Sequence, residues 1–246
     1  MRVDVLGIPF DNLSPAEAVE RALSLLEEGK PHRVVTPNPE VALACRQNPA
    51  AMEAVCSADL ILPDGIGIVR AARILGRPLQ ERVTGYDFAM ALLRRISGMG
   101  RSVFLLGAQP GVAEEAAGRL CAQMPDLRVA GTQHGYFSEE AAVLEKIRES
   151  GADVLFVCLG APRQEIWMRE NAHRLPCRLL VGLGGSLDGM AGRVVRAPVA
   201  WQRLGLEWLY RMLREPVRFK RFGALPRFMR AVFRQKREEK GHAART

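Results

Sequence analysis

The fold of this chain is decided by two stretches of similar design, Asp153-Val-Leu-Phe-Val-Cys-Leu-Gly-Ala-Pro-Arg-Gln-Glu165 and Cys177-Arg-Leu-Leu-Val-Gly-Leu-Gly-Gly-Ser-Leu-Asp-Gly-Met-Ala-Gly192. In each stretch a continuous apolar run ends in a polar, glycine-rich loop. Such runs are typical of parallel strands that are covered on both faces. Open α/β sheets bind ligands at the carboxyl ends of their strands, so the loops that follow these runs predict a functional site.

Two earlier segments repeat the design, Val34-Val-Thr-Pro-Asn-Pro-Glu40 and Leu60-Ile-Leu-Pro-Asp-Gly-Ile-Gly67. Four strand exits therefore present polar side chains to what we predict is one crevice and an active site. Those side chains are Thr36, Asn38, Asp64, Arg163, Gln164 and Asp188.

Strands that alternate with helices of 10–15 residues predict a Rossmann-like α/β core, a parallel sheet with helices on both faces. The predicted strands cover about 2–8, 32–36, 59–63, 102–107, 127–131, 153–159 and 178–183. The first helix is predicted to begin with a capping box at Ser14-Pro-Ala-Glu17. The other predicted helices cover about 39–47, 49–57, 84–97, 110–123, 138–150 and 162–173.

Composition limits the class of protein. The 246 residues show no signal-peptide pattern, and their uncharged apolar runs stop at roughly ten residues, short of the ~20 that a membrane span needs. The five cysteines are widely spaced among apolar neighbours, which favours free thiols in a reducing cytosol over disulfides or zinc. We therefore expect a cytoplasmic protein.

The net charge of +8 is concentrated at one end of the chain. Residues 201–246 hold 13 Lys/Arg and 4 Asp/Glu, which leaves 22 basic and 23 acidic residues in 1–200. A neutral core with a basic tail indicates a local anionic partner and does not favour a nucleic-acid-binding fold. We expect a catalytic core over 1–198 and a basic helical appendage over 199–246.

The appendage carries two stripes at helical spacing. The apolar stripe is Phe222, Leu225, Met229, Val232 and Phe233, and the basic stripe is Arg227, Arg230, Arg234 and Arg237. This pattern predicts a helix that lies in an anionic membrane surface, with a solvated or subunit-packing helical hairpin as the alternative. Gly223 and Pro226 are expected to divide the region, and 238–246 is expected to be disordered.

Several residues have a structural and a functional interpretation. Gly184 and Gly185 indicate either a tight turn or backbone amides close to a phosphate; the dinucleotide fingerprint itself is absent because position 187 is leucine. Asp64 is either part of an Asp-Gly turn or a general base, and Asp188 is either a helix cap or a contact to a base or ribose.

Four arginines share one helix face, which is either solvated or binds a diphosphate; they are Arg211, Arg214, Arg218 and Arg221. Glu165 is explained by the helix dipole alone.

A set of motifs resembles the TagA/CpsF/WecG family of bacterial glycosyltransferases, in order and over about residues 3–225. The motifs are Thr36-Pro-Asn-Pro-Glu, Pro63-Asp-Gly-Ile-Gly, Arg82-Val-Thr-Gly-Tyr-Asp, Gly160-Ala-Pro-Arg-Gln-Glu, Gly184-Gly-Ser-Leu-Asp, Gly192-Arg-Val-Val-Arg-Ala-Pro and Glu207-Trp-Leu-Tyr-Arg with Glu215-Pro-Val-Arg-Phe-Lys-Arg.

The resemblance implies a metal-independent, inverting transferase without a cofactor. It implies transfer of N-acetylmannosamine or a related sugar from UDP to polyprenyl-diphosphate-linked N-acetylglucosamine in cell-wall or teichoic acid synthesis, at the inner face of the membrane. It also implies roles for particular residues: Asp64 as base, Thr36, Asn38, Arg82 and Gln164 as active-site neighbours, Asp188 as a nucleotide contact, and Arg211, Arg218 and Arg221 as diphosphate ligands.

Three rival hypotheses come from other classes. They are a nicotinamide-dependent oxidoreductase, a nucleic-acid-binding module and a membrane-surface scaffold without catalysis. The missing dinucleotide fingerprint argues against the oxidoreductase. The neutral core argues against the nucleic-acid-binding module, and the intact polar loops argue against the scaffold. A homo-oligomer stays open.

Overall fold

The computed structural model describes residues 1–194, 197–198, 201, 210 and 223–243. Within this part six strands form one sheet: β3 (His32–Val35), β4 (Leu60–Ile61), β5 (Ser102–Gly107), β6 (Arg128–Gln133), β7 (Val154–Cys158) and β8 (Leu179–Gly182). Their order is β4-β3-β8-β7-β5-β6, and every pair of neighbours is parallel. The predicted Rossmann-like parallel sheet is confirmed.

The central strands β5, β7 and β8 are apolar except for Ser102, because helices cover the sheet on both sides. Every residue of β5, β7 and β8 is buried. Alternate residues of β7 point to opposite faces: Leu155 and Val157 join one hydrophobic cluster, and Val154 and Phe156 join the other.

Ten α-helices lie in the described residues: α1 (Pro15–Glu27), α2 (Pro39–Gln47), α3 (Pro49–Cys56), α4 (Ile66–Ile74), α5 (Gly85–Gly98), α6 (Val112–Gln123), α7 (Glu140–Ser150), α8 (Arg163–Asn171), α9 (Ser186–Met190) and α10 (Ala224–Ala243). The predicted capping box of α1 is present, since the Glu17 amide donates to Ser14 Oγ and the Ser14 amide donates to Glu17 Oε2. All five cysteines are free thiols, as predicted.

The chain begins with a hairpin, and the prediction of one strand over 2–8 is wrong. β1 (Arg2–Val5) pairs with β2 (Ile8–Asp11) in a separate antiparallel sheet. The turn needs positive φ at both central residues, which Leu6 (58°) and Gly7 (84°) adopt. Leucine at the first of these positions hides the usual turn signal.

Helix α4 has no counterpart among the predicted helices. Its flanking Gly65 and internal Gly67 weaken the helical pattern of the sequence. Gly67 is needed because a Cβ there would lie 2.6 Å from Cγ of Pro39, at the start of α2. The two helices that follow β3 and β4 are thus in close contact.

The C-terminal helix α10 packs on the core. Phe228 and Val232 are fully buried, and Leu225 and Met229 pack against the same cluster. The helix contacts α2 and α4, and the ion pair of Glu239 with Arg77 (2.6 Å) fastens its last turns. The expectation of disorder is therefore wrong for 238–243: Glu238, Glu239 and Lys240 are strong helix formers, and the helix continues to Ala243.

This packing corrects the interpretation of the apolar stripe. Leu225, Met229 and Val232 cover α2 and α4 and are not available to a membrane in this conformation, whereas Phe233 is 50% exposed. The fifth member, Phe222, lies outside the described residues. Gly223 directly precedes α10, which begins at Ala224, so the predicted break lies at this glycine. Pro226 does not break the helix, because it lies in the first turn, where no amide donor is needed. Within the described residues no helix is long and apolar enough to cross a membrane.

Candidate active site

The sheet order brings the four predicted strand exits together. β4, β3, β8 and β7 are consecutive neighbours, although they lie far apart along the chain. The loops that begin at Thr36, Asp64, Gly160 and Gly184 therefore meet at one edge of the sheet. The sequence alone predicts that these loops are at carboxyl ends, and the strand order shows that no other strand separates them.

Backbone hydrogen bonds hold the Asp64 loop against two other predicted segments. The Asp64 amide donates to the carbonyl of Pro37 (3.3 Å), between Thr36 and Asn38. The Val83 amide donates to the carbonyl of Pro63 (3.1 Å), which fixes the neighbouring residue Arg82 beside the same loop. Asp64 and Arg82 are both partly exposed. The predicted base and its predicted neighbours thus come from three loops joined by main-chain contacts.

Thr36 and Asn38 both have structural partners. Thr36 is buried, and its hydroxyl donates to the carbonyl of Gly182 at the end of β8 (2.9 Å). Asn38 caps α2: its Oδ1 accepts from the amides of Glu40 and Val41 at 2.9 and 3.1 Å. The cap leaves the Asn38 Nδ2 group to act as a donor at this edge of the sheet.

Gln164 is buried and uses both ends of its amide. Oε1 accepts from the amide of Gly184 (2.9 Å), and Nε2 donates to Oε1 of Glu165 (2.8 Å). Only 3% of Gln164 is exposed, so in this conformation it joins the exits of β7 and β8 and does not present its amide to a ligand. Its predicted place beside the reacting groups stays a prediction, and its contacts are those of a residue that shapes the site.

The glycine pair after β8 forms a tight turn. Gly184 has a φ of +55°, and the turn leads directly into α9. Asp188 is half-buried in this helix, and its carbonyl accepts from the amides of Arg193 and Val194. Asp188 is not the N-cap, a position that Gly185 occupies. The structural interpretation of the two glycines is confirmed, and a phosphate contact stays a prediction.

Arg163 contacts a neighbouring loop, and its predicted place in the crevice stays a prediction. Its Nη1 donates to the carbonyl of Gly135 (3.2 Å), and its guanidinium lies 5.1 Å from the ring centre of Phe137. The four predicted diphosphate-binding arginines, Arg211, Arg214, Arg218 and Arg221, lie outside the described residues. In the part of the chain that the structure covers, no group of three or more His, Cys, Asp or Glu side chains is arranged to hold a metal ion.

Glu165 is the residue that the sequence interpretation undervalued. It is 1% exposed, and its Oε2 has no hydrogen-bond partner in the described structure. Burial raises the pKa of this carboxyl above its ordinary value. Its spacing gave a signal: Gln164, Trp167, Met168 and Asn171 recur at i, i+3, i+4 and i+7 on the buried face of α8, and Glu165 adjoins them.

Comparisons with known proteins agree with the motifs in these loops. Residues 3–242 match the model of the glycosyl transferase WecG/TagA/CpsF family. The chain is 39% identical over 212 residues to an N-acetylglucosaminyldiphosphoundecaprenol N-acetyl-beta-D-mannosaminyltransferase of Bacillus spizizenii, covering 86% of this chain and 82% of the relative. Proteins of the same name from Bacillus subtilis (34%, covering 84% and 81%) and Staphylococcus aureus MW2 (33%, covering 97% and 95%) are also similar.

The match to the family model spans the core and the C-terminal helix alike. The comparisons give no support to an oxidoreductase or to a scaffold without catalysis. The chain belongs to the WecG/TagA/CpsF family of glycosyl transferases.

Proposed function

We propose that this glycosyltransferase moves N-acetylmannosamine from UDP to N-acetylglucosamine carried on a polyprenyl diphosphate, in the synthesis of a teichoic acid linkage unit or a related surface polymer. The observation that supports the proposal is the agreement between the relatives' names and the assembly of Thr36, Asn38, Asp64 and Arg82 at one edge of the sheet.

The proposed reaction is a single inverting displacement. The Asp64 carboxylate takes the proton of an acceptor hydroxyl, and that oxygen forms a bond to the anomeric carbon of the donor. The bond from this carbon to the phosphate oxygen breaks, and UDP leaves with the electron pair. Arg82, and the arginines of 211–221, would balance the charge on the leaving diphosphate. Neither a metal nor a cofactor is needed in this scheme.

Asp64→Asn tests the role of the base. A positioned base contributes about 10²- to 10⁴-fold, so the variant should lose most turnover, while its affinity for UDP stays near that of the wild type. The charge-matched control is Asp126→Asn, since Asp126 is exposed and precedes β6 at the opposite edge of the sheet. If Asp64→Asn keeps more than a tenth of the wild-type rate, Asp64 is not the base.

The donor sugar requires a direct comparison. UDP-N-acetylmannosamine, its uronic acid counterpart and UDP-N-acetylglucosamine would each be offered with a short-chain lipid-diphosphate N-acetylglucosamine acceptor. We expect product only with the first. Product with the uronic acid alone would contradict the proposed sugar but not the proposed reaction.

We also propose that the outer face of α10 meets an anionic membrane surface. Arg227, Arg230, Arg234 and Arg237 are exposed there beside Phe233. Each basic residue near such a surface contributes about 1 kcal/mol. The basic stripe makes this contact, while the buried part of the apolar stripe stays packed on the core.

Replacing the four arginines with glutamine tests the membrane contact. The variant should no longer sediment with vesicles that contain phosphatidylglycerol, yet it should keep its activity on a water-soluble acceptor. A variant with Arg94, Arg128, Arg21 and Arg119 replaced by glutamine loses the same charge elsewhere and should still sediment. Equal sedimentation of the two variants would contradict the proposal.

A further inference from the structure

We propose that Glu165 is a positioning residue of the active site: its carboxyl sets the orientation of the Gln164 amide, and through that amide it fixes the Gly184–Gly185 turn. The inference rests on the proposed function for its kinetic consequence, because it takes this turn to contact the nucleotide end of the donor. Its structural part can be tested without any substrate.

The amide of Gln164 has only one workable orientation. The backbone group of Gly184 that faces it is an N–H donor, at 2.9 Å, so the group opposite must be the amide oxygen. The nitrogen of the same amide is then directed at Glu165, at 2.8 Å. Gln164 is buried, so a flip would place donor against donor and leave both unpaired.

The hydrogen-bond partner of the Gln164 amide nitrogen is a carboxyl group, that of Glu165. A buried amide nitrogen needs an acceptor, and a carboxyl offers one whether it is charged or neutral. Glu165 occupies this place although its second oxygen, Oε2, is without a partner in the described residues. Its burial also raises the pKa of the carboxyl, which is unfavourable to the charged form. The burial of Glu165 is unfavourable in itself, and the hydrogen bond that it accepts from Gln164 offsets part of this cost.

The Gln164–Glu165 pair is joined to the Gly184–Gly185 turn. Gly184 holds a left-handed φ of +55° at the exit of β8, and a Cβ built at this position would meet no atom within 4 Å, so the space beside the turn is open. The hydrogen bond from the Gly184 amide to Gln164 therefore anchors the turn to the neighbouring exit of β7. The Ser186 amide supplies another anchor by donating to the carbonyl of Leu183.

Glu165→Ala and Glu165→Gln separate positioning from acid–base chemistry. The alanine variant removes the acceptor, so we expect the KM for the UDP-sugar donor to rise between about 10- and 100-fold, as when a buried donor, here Nε2 of Gln164, is left without a partner. The acceptor KM and kcat should change little. Glutamine keeps an oxygen that can accept from Gln164 and should return the donor KM to within about threefold of wild type. If the glutamine variant is as impaired as the alanine variant, the carboxyl acts by its charge and the proposal is wrong.

A double-mutant cycle tests the route through Gln164. In a Gln164→Ala background, Glu165→Ala should have no further effect on the donor KM, because the intermediate group is already gone. Additive effects would overturn the proposal. The matched control is Asn171→Ala, which removes another buried side-chain hydrogen bond of α8, to the carbonyl of Trp167 (3.1 Å), away from the exit of β8. It should lower the melting temperature without raising the donor KM.

Hydrogen exchange at the Gly184 amide tests the same link in the free protein. Exchange should be at least about tenfold faster in Glu165→Ala than in the wild type or in Asn171→Ala. Unchanged exchange would refute the positioning role. If exchange is faster in Glu165→Ala but the wild-type protein transfers no sugar, the anchoring of Gly184 is retained and the proposed function is rejected.

Discussion

Phe228→Ala gives the sharpest test of how the C-terminal helix is held. Phe228 is fully buried between α10 and the core, and truncation of a buried phenylalanine to alanine costs about 3–5 kcal/mol. Phe233, five residues further along the same helix, is 50% exposed. Phe233→Ala is therefore the matched control, with the same change of side chain and an expected cost below about 1 kcal/mol.

The measurement is thermal and urea unfolding of both variants. For a chain of this size a loss of 1 kcal/mol lowers Tm by about 2–4 °C, so Phe228→Ala should lower it by roughly 6–20 °C. If α10 detaches before the core unfolds, the global midpoint will move less. Limited trypsin digestion detects this case, because the exposed arginines of α10 would be cleaved faster.

Equal Tm values and equal cleavage rates for the two variants would refute the docking of α10 through Phe228. Vesicle sedimentation should rank the variants in the opposite order. Phe233→Ala should weaken binding because its ring lies on the outer face, whereas Phe228→Ala should retain binding. The two phenylalanines thus separate stability from membrane contact within one helix.

Three more perturbations probe the site and its supports. Gly67→Ala should cost about 1–3 kcal/mol by overpacking against Pro39 and should lower activity, whereas Gly118→Ala, on the open face of α6, should stabilise by about 0.5–1 kcal/mol in urea unfolding. Burial acts to raise the pKa of Asp153, but hydrogen bonds from Ser102 hold this pKa below its ordinary value of 3.8 in the folded protein. The stability that the Asp153 carboxylate adds is therefore present above pH 3.8 and is lost as the pH falls through the pKa of the folded state. Asp153→Asn should remove this acid dependence in unfolding titrations. Burial raises the pKa of Glu165 above 4.5, so its contribution has the opposite sign: the stability of wild type relative to Glu165→Gln should fall as the pH rises from 4.5.

The strands and their exits could be predicted because each leaves a local pattern. The apolar runs of β7 and β8 and the polar residues behind them were visible along the chain. The order of the strands was not, because it depends on pairings between distant segments such as Val34 with Val181. The sequence thus predicted one crevice for the Asp64 and Gln164 loops, and the structure supplies the order of the strands that carry them.

The errors have local physical causes as well. The hairpin at Leu6–Gly7 was missed because the positive φ of a leucine leaves no sequence signal. Gln164 and Glu165 do lie in the first turn of a helix, as predicted. Their burial was missed, because it is set by the packing of α8 on α3 and the sheet. A polar side chain on an apolar helical face is ambiguous in sequence, since a ligand contact and a buried hydrogen bond select the same residue types.

The position of α10 limits how strongly the protein can bind a membrane. Its apolar face is already occupied by α2 and α4, so the outer face offers four exposed arginines and one half-exposed phenylalanine. At about 1 kcal/mol for each arginine, the electrostatic part is about 4 kcal/mol, which corresponds to a Kd near 1 mM. Such binding is reversible and depends on charge, so raising the salt concentration from 50 to 500 mM should release the protein from anionic vesicles. Binding that resists this salt concentration would mean that α10 leaves the core and inserts Val232 and its neighbours, and it would restore the apolar stripe to the membrane.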